Sequence, residues 1–245
     1  MAPFNLTNHV EDSSKRVRVL FGGAVVVDTT EAKLVWGRYG PAYYFPQSQL
    51  LEEYLQNGAA SNDSSNSGVV YDLVVGTKKA EGAVTVYSNP SAAQQHLQGL
   101  VNIKFSAADA WFEEDDQLFI GPKNPYHRVD VLNSSRHIRI EIDGVEVANS
   151  RSPKLLYETG YRVRTYIPKT DCRLDLLVPS DHKTACPYKG EAHYYHVQLT
   201  PEKRVDNVVW WYLNPNLECA QISGLVAFYD EKLDVFVDGV KQSRS

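Results

Sequence analysis

The chain is written twice. Residues 13–19 (SSKRVRV) recur as 134–140 (SSRHIRI), an offset of 121, and Gly23 recurs as Gly144. Residues 33–36 (KLVW) recur as 154–157 (KLLY). One inserted residue moves the offset to 122, so Tyr44, Phe45 and Pro46 match Tyr166, Ile167 and Pro168. Later the offset is 125: residues 78–90 (KKAEGAVTVYSNP) match 203–215 (KRVDNVVWWYLNP), and 109–112 (DAWF) match 234–237 (DVFV). Generic alternation would not also reproduce the proline, glycine and Ser-Ser positions. Repeat units this long hold their own cores, which implies two similar domains and not a solenoid.

Residues 1–14 are polar and read as a loose arm. The first repeat then runs over 15–121, a joint over 122–133, and the second repeat over 134–241. Pro122 and Pro125 stiffen the joint, and a short stiff joint predicts that the two units pack together. Within the first unit, segments 17–21, 24–28, 33–36, 42–45, 69–75, 83–87, 101–105 and 110–112 alternate like strands. Gly22 and Gly23 mark a hairpin turn. The second unit repeats the pattern, with later strands at 192–199, 205–212, 226–229 and 233–237. Helix is predicted only at 49–56, 91–98 and, more weakly, 216–223. Fifteen tyrosines against one methionine also favour strands. The expectation is a mainly β chain of two tandem small domains, each a sandwich or barrel, packed together with little helix.

The formal charge of −5 and scattered basic residues exclude a nucleic-acid sleeve. No apolar run approaches the length that crosses a bilayer, and the N-terminal residues hold no apolar signal core. Cys172, Cys186 and Cys219 form no C-x-x-C pair, which suits a reducing compartment. The three matches to the glycosylation sequon, at Asn5, Asn62 and Asn133, then read as chance. A cytoplasmic protein without membrane or nucleic-acid partners is expected. Its oligomeric state is not legible.

The copies differ most after Pro46 and Pro168. The first has a polar loop over 57–67, rich in Asn and Ser. The second has a segment carrying Asp181, His182, Cys186, Tyr188 and Lys189, followed by His193 and His196. A fold requirement acts on both copies, whereas a chemical one need act on only one. This asymmetry marks the segment as the candidate site.

Several chemistries fit it. Cys186, with His182 four residues before and Lys189 three after, has the neighbours a nucleophilic cysteine needs, and Pro187 and Gly190 indicate a turn that would present it. The competing reading is a cysteine packed in a turn. His182, Cys186, His193 and His196 are also zinc-type ligands, but strand residues three apart diverge, so no metal is expected. Asp181, His182, Cys186 and Lys189 are therefore the candidate catalytic groups for acid/base work. Glu158 is a candidate partner, with Arg128 and Arg136 as anion clamps. Tyr166, Tyr188, Tyr195 and Trp211 are candidate pocket walls, drawn from an aromatic set that also includes Trp36, Tyr43, Tyr44, Tyr157 and Trp210. Of Trp210 and Trp211, alternation puts one toward the core and one away from it.

Residues 180–190 (SDHKTACPYKG), the aromatics Tyr194, Tyr195 and 210–212 (WWY), and residues 224–229 (GLVAFY) resemble the domain of unknown function 427 family. Residues 126–131 (YHRVDV) and 134–137 (SSRH) resemble the joint of its two-copy members. The resemblance implies a β-tent-like fold. Relatives of that fold bind zinc through cysteine pairs, which this chain lacks. The family carries a nucleotidyltransferase label, yet the chain has no G-x-x-x-x-G-K-[ST] cradle and no acidic pair spaced for metal-assisted transfer. The reading is thus a soluble protein with a small-molecule pocket in the second repeat. It would be a cofactor-free acid/base enzyme of isomerase, cyclase, lyase or hydrolase type. A non-catalytic module binding a small molecule or peptide is the alternative.

Overall fold

A computed structural model describes residues 8–37, 40–61 and 67–244. They form two compact units that divide between Asn124 and Pro125. The first contains β1 (Val10–Asp12), β2 (Val17–Phe21), β3 (Ala24–Thr29), β4 (Lys33–Gly37), β5 (Gly40–Pro46), β6 (Leu55–Ala60), β7 (Val69–Val75), β8 (Lys78–Val86), β9 (Leu100–Ile103), β10 (Ala110–Glu113) and β11 (Asp116–Leu118). They build a seven-stranded sheet, ordered β1-β4-β5-β9-β8-β7-β6, and a four-stranded sheet, ordered β11-β10-β2-β3.

The second unit contains β12 (Val129–Asn133), β13 (Ile138–Ile142), β14 (Val145–Ser150), β15 (Lys154–Glu158), β16 (Arg164–Ile167), β17 (Leu177–Cys186), β18 (Gly190–Thr200), β19 (Lys203–Tyr212), β20 (Val226–Phe228), β21 (Asp234–Val237) and β22 (Val240–Lys241). Its sheets are ordered β12-β15-β16-β20-β19-β18-β17 and β14-β13-β21-β22. Strand for strand this is the first unit again. The registers agree as well: Lys33 faces Tyr44 as Lys154 faces Tyr166, and Val84 faces Ile103 as Val209 faces Phe228.

Each unit is held by the apolar face its two sheets share. In the second, Ile138 and Ile140 of β13 and Val147 of β14 pack with Ile167, Val197, Val209, Val226 and Phe228 of the larger sheet. All are essentially buried. Burying one such side chain contributes about 1.5–3 kcal/mol. In the first unit Val17, Val19 and Phe21 pack with Phe45, Leu73, Val84 and Val101 in the same way. The family of β strands read from alternation is therefore present in both halves, with little helix.

Several local expectations change. The loose arm over 1–14 gives way to β1, where Val10 pairs with Val35; residues 1–7 of that arm lie outside the described residues. The joint is shorter than 122–133, because β12 is already the edge strand of the second large sheet. The predicted helices at 91–98 and 216–223 are 3-10 turns, Ala92–Leu97 and Leu217–Ile222. That at 49–56 is two short 3-10 turns flanking Leu50 and Leu51, and runs into β6. The polar loop over 57–67 begins as strand, since β6 pairs with β7 through Ala60; residues 62–66, with the Asn62 sequon, lie outside the described residues, as does Asn5. Among the described residues no helix is long and apolar enough to cross a membrane.

Candidate functional site

The segment 179–195 is not an excursion from the scaffold. It is the β17–β18 hairpin, the counterpart of β6–β7, closed by Pro187, Tyr188 and Lys189. Gly190 completes the turn at φ +95, and a Cβ there would lie 3.2 Å from the Asn214 carbonyl oxygen. The turn is pinned from the 3-10 segment: Asn216 Nδ2 donates to the Pro187 carbonyl at 2.8 Å and the Asn216 amide to that of Lys189 at 3.2 Å. Cys219 Sγ lies 3.6 Å from the Tyr188 carbonyl, and burial pushes this thiol up to about 11. These contacts fix where Lys189 can reach.

Strand alternation then decides which side chains meet. The neighbours of the core residues point to the opposite face of the large sheet: Leu156 and Glu158, Arg164 and Tyr166, Ala192 and Tyr194, Trp210 and Tyr212, Ala227 and Tyr229. The apolar members form a second buried cluster with Cys219 and Ile222. The polar and aromatic members, joined by Arg162, Cys186 and Lys189, line an open cleft of about 600 Å³. That is within the usual range for small-molecule sites.

At one part of this cleft the Lys189 ammonium pairs with Glu158 Oε2. The two side chains are only 14% and 7% exposed. His127 Nε2 lies 3.1 Å from the other Glu158 oxygen, and the His127 ring stacks on Tyr188 at 3.8 Å. His127 is placed by β15: the Thr159 amide donates to the Arg128 carbonyl at 3.0 Å, and the Arg128 amide to Thr159 Oγ1 at 3.0 Å. A carboxylate so buried is tolerable because both oxygens are engaged.

Elsewhere on the wall, Arg164 holds Glu231 with two bonds, 2.8 and 3.2 Å, and approaches Asp230 at 3.4 Å. Its guanidinium also sits 5.3 Å from the Trp210 ring and 5.8 Å from Tyr229. The hydrogen bond from Arg164 holds the Glu231 carboxyl down to about 2, whereas burial raises that of Asp230. The buried Trp210 Nε1–H donates to Tyr166 Oη at 3.2 Å. Tyr194 and Thr184 hydroxyls pair at 2.8 Å. Burial raises the phenols of Tyr166, Tyr212 and Tyr229, keeping them protonated donors.

Of the residues expected from sequence, Glu158, Tyr166, Cys186 and Lys189 line this cleft. Tyr188 backs it through His127. The other expected residues fall elsewhere. Asp181 and His182 sit in a bulge of the edge strand β17, both exposed. The His182 ring rests against Tyr194 at 4.5 Å without lining the cleft. Arg128 is 79% exposed and pairs with Asp130. Arg136 is exposed, its amide bonded to Ser134. Tyr195 and Trp211 have the opposite parity and pack toward the shared core, where Lys169 lies 3.4 Å over the Trp211 ring. Trp36 and Tyr43 are core residues of the first unit, and Tyr157 is exposed. The histidines of β18 have separate partners, His193 against Trp211 and His196 with Asp206. Among the described residues no group of three or more His, Cys, Asp or Glu is arranged around an ion position.

Sequence reasoning missed His127, Arg162, Arg164, Tyr194, Tyr212 and Tyr229. Parity with Tyr166 and Trp210 was the available signal for Arg164 and Tyr212. The paired registers show what the first unit has instead. Gly37 stands for Glu158, Ala42 for Arg164, Val70 for Tyr194, Thr85 for Trp210 and Lys104 for Tyr229, while Tyr44 and Tyr87 match Tyr166 and Tyr212. The scaffold is kept and the cleft chemistry is not.

A family model described as a domain of unknown function (DUF427) matches residues 9–114 and, again, 130–239. No curated protein matches the chain.

Proposed function

The chain belongs to the domain of unknown function 427 family, as a two-copy member, and from that premise we propose that its second copy binds a small organic molecule in the β15–β20 cleft and moves a proton on it. Lys189 is the acid/base group facing the ligand. Glu158 fixes its position and compensates its charge, and His127 positions Glu158. Cys186, on the same wall, is the candidate nucleophile. No cofactor is required by this scheme, which suits isomerisation, cyclisation, elimination or hydrolysis. The observation that carries the reading is a nearly buried Lys189–Glu158 pair opening on a cleft, in the copy that alone has both residues. Structural ion pairs are usually solvated or sealed; this one is neither.

A non-catalytic binding module is the second reading. It is favoured by Glu158 having both oxygens already engaged. Three free cysteines support a reducing, cytoplasmic setting. The partner in either reading is a small molecule, with no nucleic acid and no membrane. The test is to incubate the full chain with a metabolite extract and follow it by mass spectrometry, beside Lys189→Met. Depletion of a compound by the wild type alone supports the enzyme. Retention without conversion supports the binding module. If the wild type neither depletes nor retains any compound, both readings fail.

A further inference from the structure

The first unit shows what the paired tyrosines do when nothing else is asked of them. Tyr44 and Tyr87 have ring centroids 6.1 Å apart, and their hydroxyls lie close enough to act on each other. Their counterparts in the second unit are arranged differently. Where the first unit has Thr85, the second has Trp210, whose Nε1–H takes the Tyr166 hydroxyl. Tyr212 is thereby released. The residue is 4% exposed and lines the cleft. Among the described residues nothing hydrogen-bonds its hydroxyl, although Tyr166, Cys186, Tyr194 and Glu158 all lie within electrostatic reach. The Tyr212 hydroxyl reaches the cleft surface without a protein acceptor among them, which leaves its proton available to a ligand oxygen.

Charge supplies a second, independent observation. The chain as a whole carries a net charge of −5. The cleft is lined by three cations, Arg162, Arg164 and Lys189, and by the carboxylate of Glu158, while Asp230 and Glu231 pair with the two arginines beside it. Arg164 and Lys189 are engaged at short range. Arg162 is not: its side chain is 41% exposed, and its nearest carboxylate, Glu231, is 3.6 Å away and already held bidentately by Arg164. A guanidinium placed so keeps most of its five donors for an incoming oxyanion, which it matches as a planar fork. The aromatic surface beside it comes from Trp210 and Tyr229, whose rings are 4.6 Å apart and inclined at 47°.

From these we infer that the cleft takes a small ring-bearing oxyanion, a carboxylate or a phosphate ester, with Arg162 gripping the anionic group, Tyr212 donating a hydrogen bond to a ligand oxygen, and the ring lying against Trp210 and Tyr229. This rests on the reading of the cleft as a small-molecule site and adds the class of molecule. Arg162 lies on the loop between β15 and β16, outside the sheet's hydrogen bonding. Exchange of Glu231 for the ligand costs little because Arg164 retains that carboxylate. Burial, the first cause of the raised Tyr212 phenol, keeps it a neutral donor across the working pH range.

The experiment is a titration of the full chain with benzoate, phenyl phosphate and the neutral isostere benzamide, each to millimolar concentration. It is read by ¹⁵N NMR of the backbone and indole N–H signals. The expected result is saturable shifts at the Trp210 indole with benzoate or phenyl phosphate, and at least about tenfold weaker binding of benzamide. The tighter of the two anions distinguishes carboxylate from phosphate. Arg162→Gln weakens that anion about tenfold. Tyr212→Phe, which keeps the ring, weakens it about fivefold while leaving the other resonances in place. If benzamide binds as well as the anions, or Arg162→Gln changes nothing, the oxyanion inference is overturned and the small-molecule cleft stands. If none of the three probes shifts residues of the cleft, the cleft reading falls together with it.

Discussion

Replacing Glu158 by Gln keeps the shape of the side chain and removes its charge, leaving Lys189 as a nearly buried cation without a carboxylate. Breaking a buried pair from one side costs about 3–5 kcal/mol. The 7% and 14% exposures put Glu158 and Lys189 close to that regime. The cleft is open to water on one side, which reduces the expected cost to about 2–3 kcal/mol. For a domain of this size about 1 kcal/mol moves the midpoint by roughly 4 °C, so the second unit should melt about 10 °C lower. The assay is scanning calorimetry of the full chain. Two companions make it decisive. The double variant Glu158→Gln, Lys189→Met removes both charges and should recover more than half of the loss. Arg128→Ala breaks a pair that is 79% and 40% exposed and should shift the midpoint by no more than about 2 °C. If Glu158→Gln melts no lower than Arg128→Ala, the pair is solvated and the site has been built on the wrong residues.

Other outcomes follow from the same geometry. Glu231 has a carboxyl depressed in the fold to about 2 from an ordinary 4.5, so its stabilisation is complete above pH 4.5 and is lost as pH falls toward 2; an acid titration monitored by circular dichroism should show less of this loss in Arg164→Gln. Asp230, raised by burial, opposes it, so Asp230→Asn should enlarge the loss of stability on acidification. Native alkylation followed by peptide mass spectrometry should label Cys186 first, since burial raises Cys219 to about 11 and Cys172 to about 12 and both thiols contact backbone carbonyls. Gly190→Ala forces an L side chain to φ +95 beside Asn214 and should cost about 1–3 kcal/mol, measurable by denaturant unfolding.

The scaffold was legible because its signals are local. Hairpin glycines, Pro46 and Pro168, and period-two alternation recur in both copies, and they are what set strand order and register. The site was legible only in part, because it is assembled across strands. Glu158 and Lys189 are far apart in sequence and meet through pairing that no window shows. His127 looked like part of a linker, yet its neighbour Arg128 is bonded to Thr159 at the end of β15. Asp181 and His182 drew notice by crowding with Cys186 and Lys189, but crowding along a strand is not crowding in space. A bulge at those two residues turns them outward. Trp210 and Trp211 could not be ranked until register was known, since adjacent strand residues take opposite faces. Tyr212 could not be seen at all without its twin, because its meaning is the loss of the partner that Tyr87 keeps in Tyr44.

If the β15–β20 cleft of the second unit is the working surface of this doubled scaffold, a bound ligand should shield that cleft and nothing in the first unit. Hydrogen–deuterium exchange of the full chain, with and without the metabolite fraction it retains, reads this out. New protection is expected in peptides covering 158–166 and 186–194, with none in 37–44 or 67–75 of the first unit. Protection confined to the first unit, or to the 138–150 strands behind the shared core, would contradict it.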